Sequence, residues 1–201
     1  MPNSREKRSN ILPQIEYRPQ DPPSFRPPIG LIGCGGITKY HLQAYRDAGY
    51  EVAALCDLDV QAARERRDEY YPEAEVFEDY QKLLERSDIE VVDIATHPEV
   101  RAALIEDAIR AGKHVLSQKP FVLDLETGNR LADLADEQGV LLAVNQNARW
   151  SPSFSYIRQA VHAGLIGDVL GLHCGVHWDH SWVEGTEVAN IEDLILYDFA
   201  I

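Results

Sequence analysis

The chain has 201 residues, enough for one domain with a sizeable core and part of a second. Charged residues make up 26% and hydrophobic residues 45%, ordinary for a soluble globular protein, and no apolar run approaches the roughly 20 residues of a membrane-spanning helix. The net charge of −14 argues against nucleic-acid and anionic-membrane partners, because an acidic surface repels phosphate.

Residues 1–28 hold five Lys/Arg against three Asp/Glu and seven of the eleven prolines, including Pro22-Pro23 and Pro27-Pro28. Proline removes backbone donors and blocks helix and central-strand formation. This stretch reads as a tail, either a loosely packed leader or a partner-docking arm. Arg5, Lys7 and Arg8 precede no apolar stretch, so no secretory signal is recognised. Cys34, Cys56 and Cys174 are too few and too scattered for a disulfide framework or a zinc ribbon, and reduced thiols in a cytoplasmic protein are expected.

From Ile29 short apolar runs alternate with longer amphipathic segments. The pattern predicts strands at about 29–33, 51–56, 75–77, 90–95, 113–117 and 140–144, with helices near 36–48, 59–71, 79–86, 99–111 and 124–138. Continuous apolar runs such as Val91-Val92-Asp93-Ile94-Ala95 and Val140–Val144 indicate strands buried on both faces. The expected fold is therefore α/β, a Rossmann-type doubly wound parallel sheet over residues 29–148. Gly49, Gly112 and Gly139 stand where left-handed helix caps are wanted. After Trp150 the rhythm changes: a helix near 153–164, a turn at Gly167-Asp168, one long strand from Val169 to Trp178, and a further element from about Ile191. One strand and a helix do not close a sheet domain. Residues 149–201 read as the beginning of an incomplete α+β domain.

Gly33-Cys34-Gly35-Gly36-Ile37-Thr38 follows a strand and opens a helix, the context a dinucleotide fingerprint requires. Gly33 permits the tight turn, and Gly35 lets a pyrophosphate approach the N–H groups at the positive end of the helix. The third fingerprint position is Thr38 rather than Gly or Ala, and a plain structural turn also fits the glycines alone. Asp57 stands 24 residues beyond Gly33 at the end of the second strand, where a carboxylate can accept both adenosine ribose hydroxyls; capping the next helix is its bland alternative. A carboxylate there repels a 2′-phosphate, and no Arg or Lys occupies 58 or 59, which favours NAD over NADP.

Thr96-His97-Pro98 and Ser117-Gln118-Lys119-Pro120 end the fourth and fifth strands and so point toward a cofactor and substrate cleft. An ammonium at Lys119 can orient a carbinol oxygen and stabilise developing alkoxide charge, although a solvated surface lysine is the commoner reading. In His173–His180 alternate residues share a strand face while Cys174 points away, so no metal set converges and no metal is expected.

Together, GLIGCGGITKYH, DIATHPEVRAALIEDAIRAGKHVLSQKPFV, AVNQNARWSP and AGLIGDV occur in order at the spacing of one family. They resemble the glucose-fructose oxidoreductase, inositol dehydrogenase and rhizopine catabolism family, over roughly residues 29–201. The resemblance implies an NAD(P)-dependent oxidoreductase moving a hydride between nicotinamide and a sugar, cyclitol or related polyol. It puts the family's Glu-Lys-Pro lysine on Lys119, with Gln118 in place of the glutamate, and the cofactor contacts on Gly33, Gly35, Gly36, Ile37, Asp57, Thr96, His97 and Gln118. It implies a substrate-facing wall near Arg149, His177 and Trp178. Losing the neighbouring carboxylate favours the ammonium form of Lys119 less strongly, and burial acts the same way. The family's Thr-Pro is Thr96-His97-Pro98 here, and a usual downstream histidine is Arg101. In the family's D-x-G-x-H pattern the aspartate falls on Asp198, and the proton-transferring histidine falls just after Ile201. A fragment lacking that catalytic histidine is expected, with a non-catalytic nucleotide-binding or interaction protein as the alternative. Family members associate through the substrate-domain sheet, so a homo-oligomer is implied where that domain is complete.

Overall fold

The computed structural model describes residues 14–175, 177, 179 and 181–186. Six strands form one parallel sheet: β1 (Ile29–Ile32), β2 (Val52–Cys56), β3 (Glu75–Phe77), β4 (Val91–Ile94), β5 (His114–Ser117) and β6 (Leu142–Val144). Their order is β3-β2-β1-β4-β5-β6. The chain winds outward from β1 to β3 and then returns to the other side of β1 to place β4. That reversal creates a crevice between β1 and β4 at the carboxyl edge of the sheet, the usual ligand position in such folds.

The connecting helices are α1 (Thr38–Asp47), α2 (Val60–Tyr70), α3 (Tyr80–Leu84), α4 (Pro98–Arg110) and α5 (Leu125–Gln138). Asp59, Asp79 and Asp124 start α2, α3 and α5 by accepting backbone N–H bonds from Gln61, Gln81 and Thr127. Such caps satisfy donors that the first helical turn leaves open. Gly49, Gly112 and Gly139 have φ of 71°, 73° and 67°, as the helix-end pattern anticipates. Two apolar clusters sandwich the sheet. Leu42 of α1 and Ala63 of α2 join Ile29, Leu31 and Leu55 in one; Leu83, Ile105, Ile109 and Leu131 of α3, α4 and α5 join Ile32, Val92 and Ile94 in the other. All of β1 and β2 is buried, which is why those strands read as unbroken apolar runs.

Two expectations need correction. The run 140–144 is not buried on both faces: Leu141 is 71% exposed, Ala143 is exposed too, and only Leu142–Val144 form the strand. Among the described residues β6 pairs with β5 alone and forms the sheet edge, with no neighbouring strand on its outer side. The long strand expected from Val169 to Trp178 is not formed over 169–175, where Leu170 and Leu172 are 98% and 88% exposed. An apolar alternation makes a strand only when a ladder partner takes up its N–H and C=O groups.

The described residues divide into two compact units, one of 22–146 with 179 and 181–186, the other of 14–21 with 147–175 and 177. The second unit contains α6 (Pro152–His162), preceded by a short 3-10 turn at Asn147–Trp150. Within it Tyr17 packs edge-on against Tyr156 at 6.0 Å. In the proline-rich stretch, 14–28 forms neither helix nor strand, yet Arg26 is anchored: its Nη1 donates to the Ala48 carbonyl at 2.7 Å and its guanidinium covers the Tyr50 ring.

Candidate cofactor and catalytic site

The sheet register decides which residues meet. Ile32 pairs with Cys56 on one side and Ile94 on the other, and Ile94 pairs with Ser117. The residues that follow these, Gly33, Asp57, Ala95-Thr96 and Gln118-Lys119, therefore emerge side by side at the carboxyl edge.

Gly33 is demanded twice over. Its φ of +93° disfavours any side chain, and a Cβ would stand 2.8 Å from the carbonyl carbon and oxygen of Ala95. Its N–H donates to the Cys56 carbonyl at 2.8 Å, extending the sheet into the turn. Gly35 and Gly36 differ: they are exposed, and a Cβ at either would meet nothing within 4 Å. That open space lies before α1, whose N-cap Ile37 carries no side-chain cap. The positive end of the α1 dipole thus lies behind two exposed glycines with open space around them, which fits a pyrophosphate. Thr38 explains the departure at the third fingerprint position. It is fully buried and its Oγ1 donates to the Gly35 carbonyl at 2.7 Å, so it braces the turn from below.

Asp57 faces this turn. Its Oδ2 accepts the Cys34 N–H at 2.6 Å and its Oδ1 accepts the Asp59 N–H at 2.8 Å. Asp59, not Asp57, caps α2. Each Asp57 oxygen retains a second lone-pair direction for a hydroxyl donor. Arg66 reaches over from α2, with Nη2 3.4 Å from the Gly35 carbonyl. The Cys34 thiol is pushed up to about 12 by burial, with Asp57 adding to the shift, and the Cys56 thiol to about 12 for the same reasons. Neither is a nucleophile under ordinary conditions.

At the β4 and β5 ends, His97 is exposed and Thr96 and Lys119 are half-buried, with a cis Lys119-Pro120 peptide. Arg101 of α4 is 2% exposed and joins the two strand ends. Its Nη1 donates to the carbonyls of Gln118, at 2.7 Å, and Pro120, and its Nη2 donates to that of Thr96. Burial lowers the Arg101 guanidinium to about 10. Burial also pushes the Lys119 ammonium below the ordinary lysine value, and the Arg101 charge adds to this. Beside them Pro120, Phe121, Val122, Leu125 and Val144 border a largely apolar groove of about 400 Å³. A larger concavity, about 770 Å³, lies among Arg110, Glu126 and Arg130 on the α4 and α5 surfaces and includes none of the strand-end residues.

Beneath the strand ends lies a buried polar network that the motif pattern does not reveal. Asp93, fully buried in β4, accepts on Oδ2 from Tyr45 at 2.8 Å and bonds His41 Nδ1 at 2.7 Å. His41 Nε2 in turn meets the amides of Gln118 at 3.2 Å and Asn145 at 3.1 Å. Burial, then the Asp93 carboxylate, raises the Tyr45 phenol, which keeps its proton and donates. The available signal was an acid inside an apolar strand, Asp93, and a histidine on the inner face of α1.

The structure thus brings together Gly33, Gly35, Gly36, Ile37, Asp57, Thr96, His97, Gln118 and Lys119 along one sheet edge. Arg149 and His177 are exposed in the other unit, where the Arg149 guanidinium covers the Trp150 ring at 4.9 Å. Trp178 and Asp198 lie outside the described residues.

A doubly wound parallel sheet, with a glycine turn at its switch point and an acid at the β2 end, defines a dinucleotide-binding domain. Residues 28–146 match the family model described as an oxidoreductase family with an NAD-binding Rossmann fold, and the chain belongs to that family, Gfo/Idh/MocA. D-apiose dehydrogenase of Paraburkholderia graminis is 36% identical over 138 residues, 68% of this chain and 36% of that protein. Inositol 2-dehydrogenase of Burkholderia multivorans is 30% identical over 149 residues, 73% of this chain and 44% of that protein. The solved structure of KijD10, a 3-ketoreductase of Actinomadura kijaniata in complex with NADP and TDP-benzene, aligns with a TM-score of 0.64 at 31% identity. That alignment covers 72% of this chain and 44% of that one. The chain spans less than half the length of each of these proteins.

Proposed function

We propose that residues 29–148 bind NAD and form the cofactor half of an oxidoreductase acting on a carbinol or carbonyl carbon of a sugar, cyclitol or related polyol. The observation that carries the reading is the pairing of the Asp57 carboxylate with the Cys34 N–H, which holds an acid against a turn whose Gly35 and Gly36 face open space. Gly35, Gly36 and Ile37 line the pyrophosphate position, and Asp57 takes the adenosine ribose hydroxyls and disfavours a 2′-phosphate. Thr96, His97 and Gln118 border the nicotinamide side. When bound, the nicotinamide supplies the hydride acceptor or donor.

Lys119 orients the reacting hydroxyl, and its lowered proton affinity eases proton movement at that oxygen. Asp198, Arg149, His177 and Trp178 are assigned to the substrate side by the family resemblance. D-apiose dehydrogenase and inositol 2-dehydrogenase, by their names, act on a sugar and a cyclitol, which supports the substrate class. Three free cysteines fit a cytoplasmic setting. Titration with NADH by fluorescence tests the reading. Saturable binding is expected, weakened about tenfold or more in Asp57→Ala as charge-assisted bonds to the ribose are lost. Absence of saturable binding, or equal binding by a folded Asp57→Ala protein, refutes it.

A further inference from the structure

Gln118 occupies the position between Lys119 and the buried His41–Asp93 pair. Its Oε1 accepts the backbone N–H of Lys119 at 2.7 Å, and its Nε2 lies 3.2 Å from His41 Nε2. A main-chain N–H can only donate, so the amide oxygen must face Lys119 and the amide nitrogen must face the imidazole. Gln118 therefore presents a donor to His41 Nε2, which has to offer a lone pair. The remaining ring nitrogen, Nδ1, then holds the imidazole proton and donates it to Asp93 Oδ2 at 2.7 Å. Asn145 is compatible with this arrangement without imposing it, since its amide can be turned either way. His41 and Gln118 are both nearly inaccessible, so water does not offer an easy substitute partner.

We propose that Gln118 is a positioning residue for Lys119. Its amide clamps the Lys119 main chain to the His41–Asp93 pair and holds His41 as the Nδ1–H tautomer, giving the strand end one arrangement of hydrogens. A carboxylate at 118 can accept the same Lys119 N–H, but its second oxygen would meet the Nε2 lone pair. It would require a second proton on His41. Glutamine and glutamate at this position thus fit nearly the same space with different proton counts beneath the lysine. The hydrogen-bond arrangement stands independently of the reaction; its bearing on catalysis rests on the proposed role of Lys119.

Nitrogen NMR of the histidine side chains in the full chain reads the tautomer directly. At neutral pH the His41 spectrum is expected to show a protonated Nδ1 and an unprotonated Nε2, and Gln118→Glu is expected to protonate Nε2 as well. A protonated Nε2 in the unsubstituted protein overturns the proposal, as does a Gln118→Glu spectrum identical to it. Backbone amide exchange checks the clamp. Gln118→Met should speed exchange at the Lys119 N–H roughly fivefold, the equivalent of one ordinary net hydrogen bond, while Gln118→Glu retains slow exchange. Unchanged exchange in Gln118→Met removes the positioning role. NADH titration of the same samples separates this outcome from the cofactor reading: failed NADH binding with the expected tautomer sinks that reading and leaves the clamp intact.

Discussion

Replacing Arg101 with methionine removes the guanidinium that holds the carbonyls of Thr96, Gln118 and Pro120. Methionine keeps the aliphatic length but donates nothing. The Gln118 carbonyl retains the Ser117 hydroxyl as a partner at 3.0 Å, leaving the Thr96 and Pro120 carbonyls to lose the Arg101 donor. A buried acceptor without a partner costs about 1–3 kcal/mol, which applies in full to the Pro120 carbonyl, while the part-buried Thr96 carbonyl adds a smaller cost. Removing a buried guanidinium also relieves its desolvation, which offsets part of this. A net loss of about 1–3 kcal/mol is expected. Urea unfolding measures it: with a slope of about 2 kcal/mol per molar, the midpoint should fall by about 0.5–1.5 M. Arg101→Lys should recover only part, because an ammonium lacks the planar fork that reaches both strand ends. A midpoint within experimental error of the unsubstituted protein would refute the view that Arg101 joins β4 to β5.

The glycine turn offers a paired comparison. Gly33→Ala should destabilise by about 2 kcal/mol or more in thermal unfolding, given its φ of +93° and the 2.8 Å approach to Ala95. Gly35→Ala should unfold nearly as the unsubstituted protein does but bind NADH at least tenfold more weakly, since a methyl would enter the open space before α1. Thiol titration under native conditions should find Cys174 reactive and Cys34 and Cys56 slow, because the latter are buried and held near 12. For Lys119 the folded state disfavours the ammonium, so its contribution to stability is fully present above the unfolded value of 10.5 and falls as pH drops through the lower folded value. Melting temperatures relative to Lys119→Met should therefore rise as the pH climbs toward 10.5.

The alternation of apolar runs and amphipathic segments made the Rossmann sheet legible, because strands such as Leu31–Ile32 and Val92–Ile94 are buried by helices on both sides. The same logic misread Leu141, since nothing in a five-residue apolar run distinguishes an edge strand from a central one. Gly33, Asp57 and Lys119 could be assigned to a common edge from spacing, as strand ends in a parallel sheet share one side. The network under them could not. Its bonds join residues 52, 77 and 104 positions apart, and a histidine, an asparagine and a glutamine carry no periodic signal. Arg101 stood out only as a departure from a family pattern. Its bonds to three carbonyls depend on how α4 packs against two strand ends, which sequence spacing does not encode.

The most direct test of the cofactor assignment is a side-by-side titration of NADH and NADPH against the unsubstituted chain and Asp57→Asn. With the Asp57 carboxylate fixed beside the glycine turn, NADH should bind at least tenfold more tightly than NADPH, a gap of about 1.4 kcal/mol or more. Asp57→Asn should shrink that gap. Equal affinities, or tighter binding of NADPH by the unsubstituted chain, would contradict the assignment.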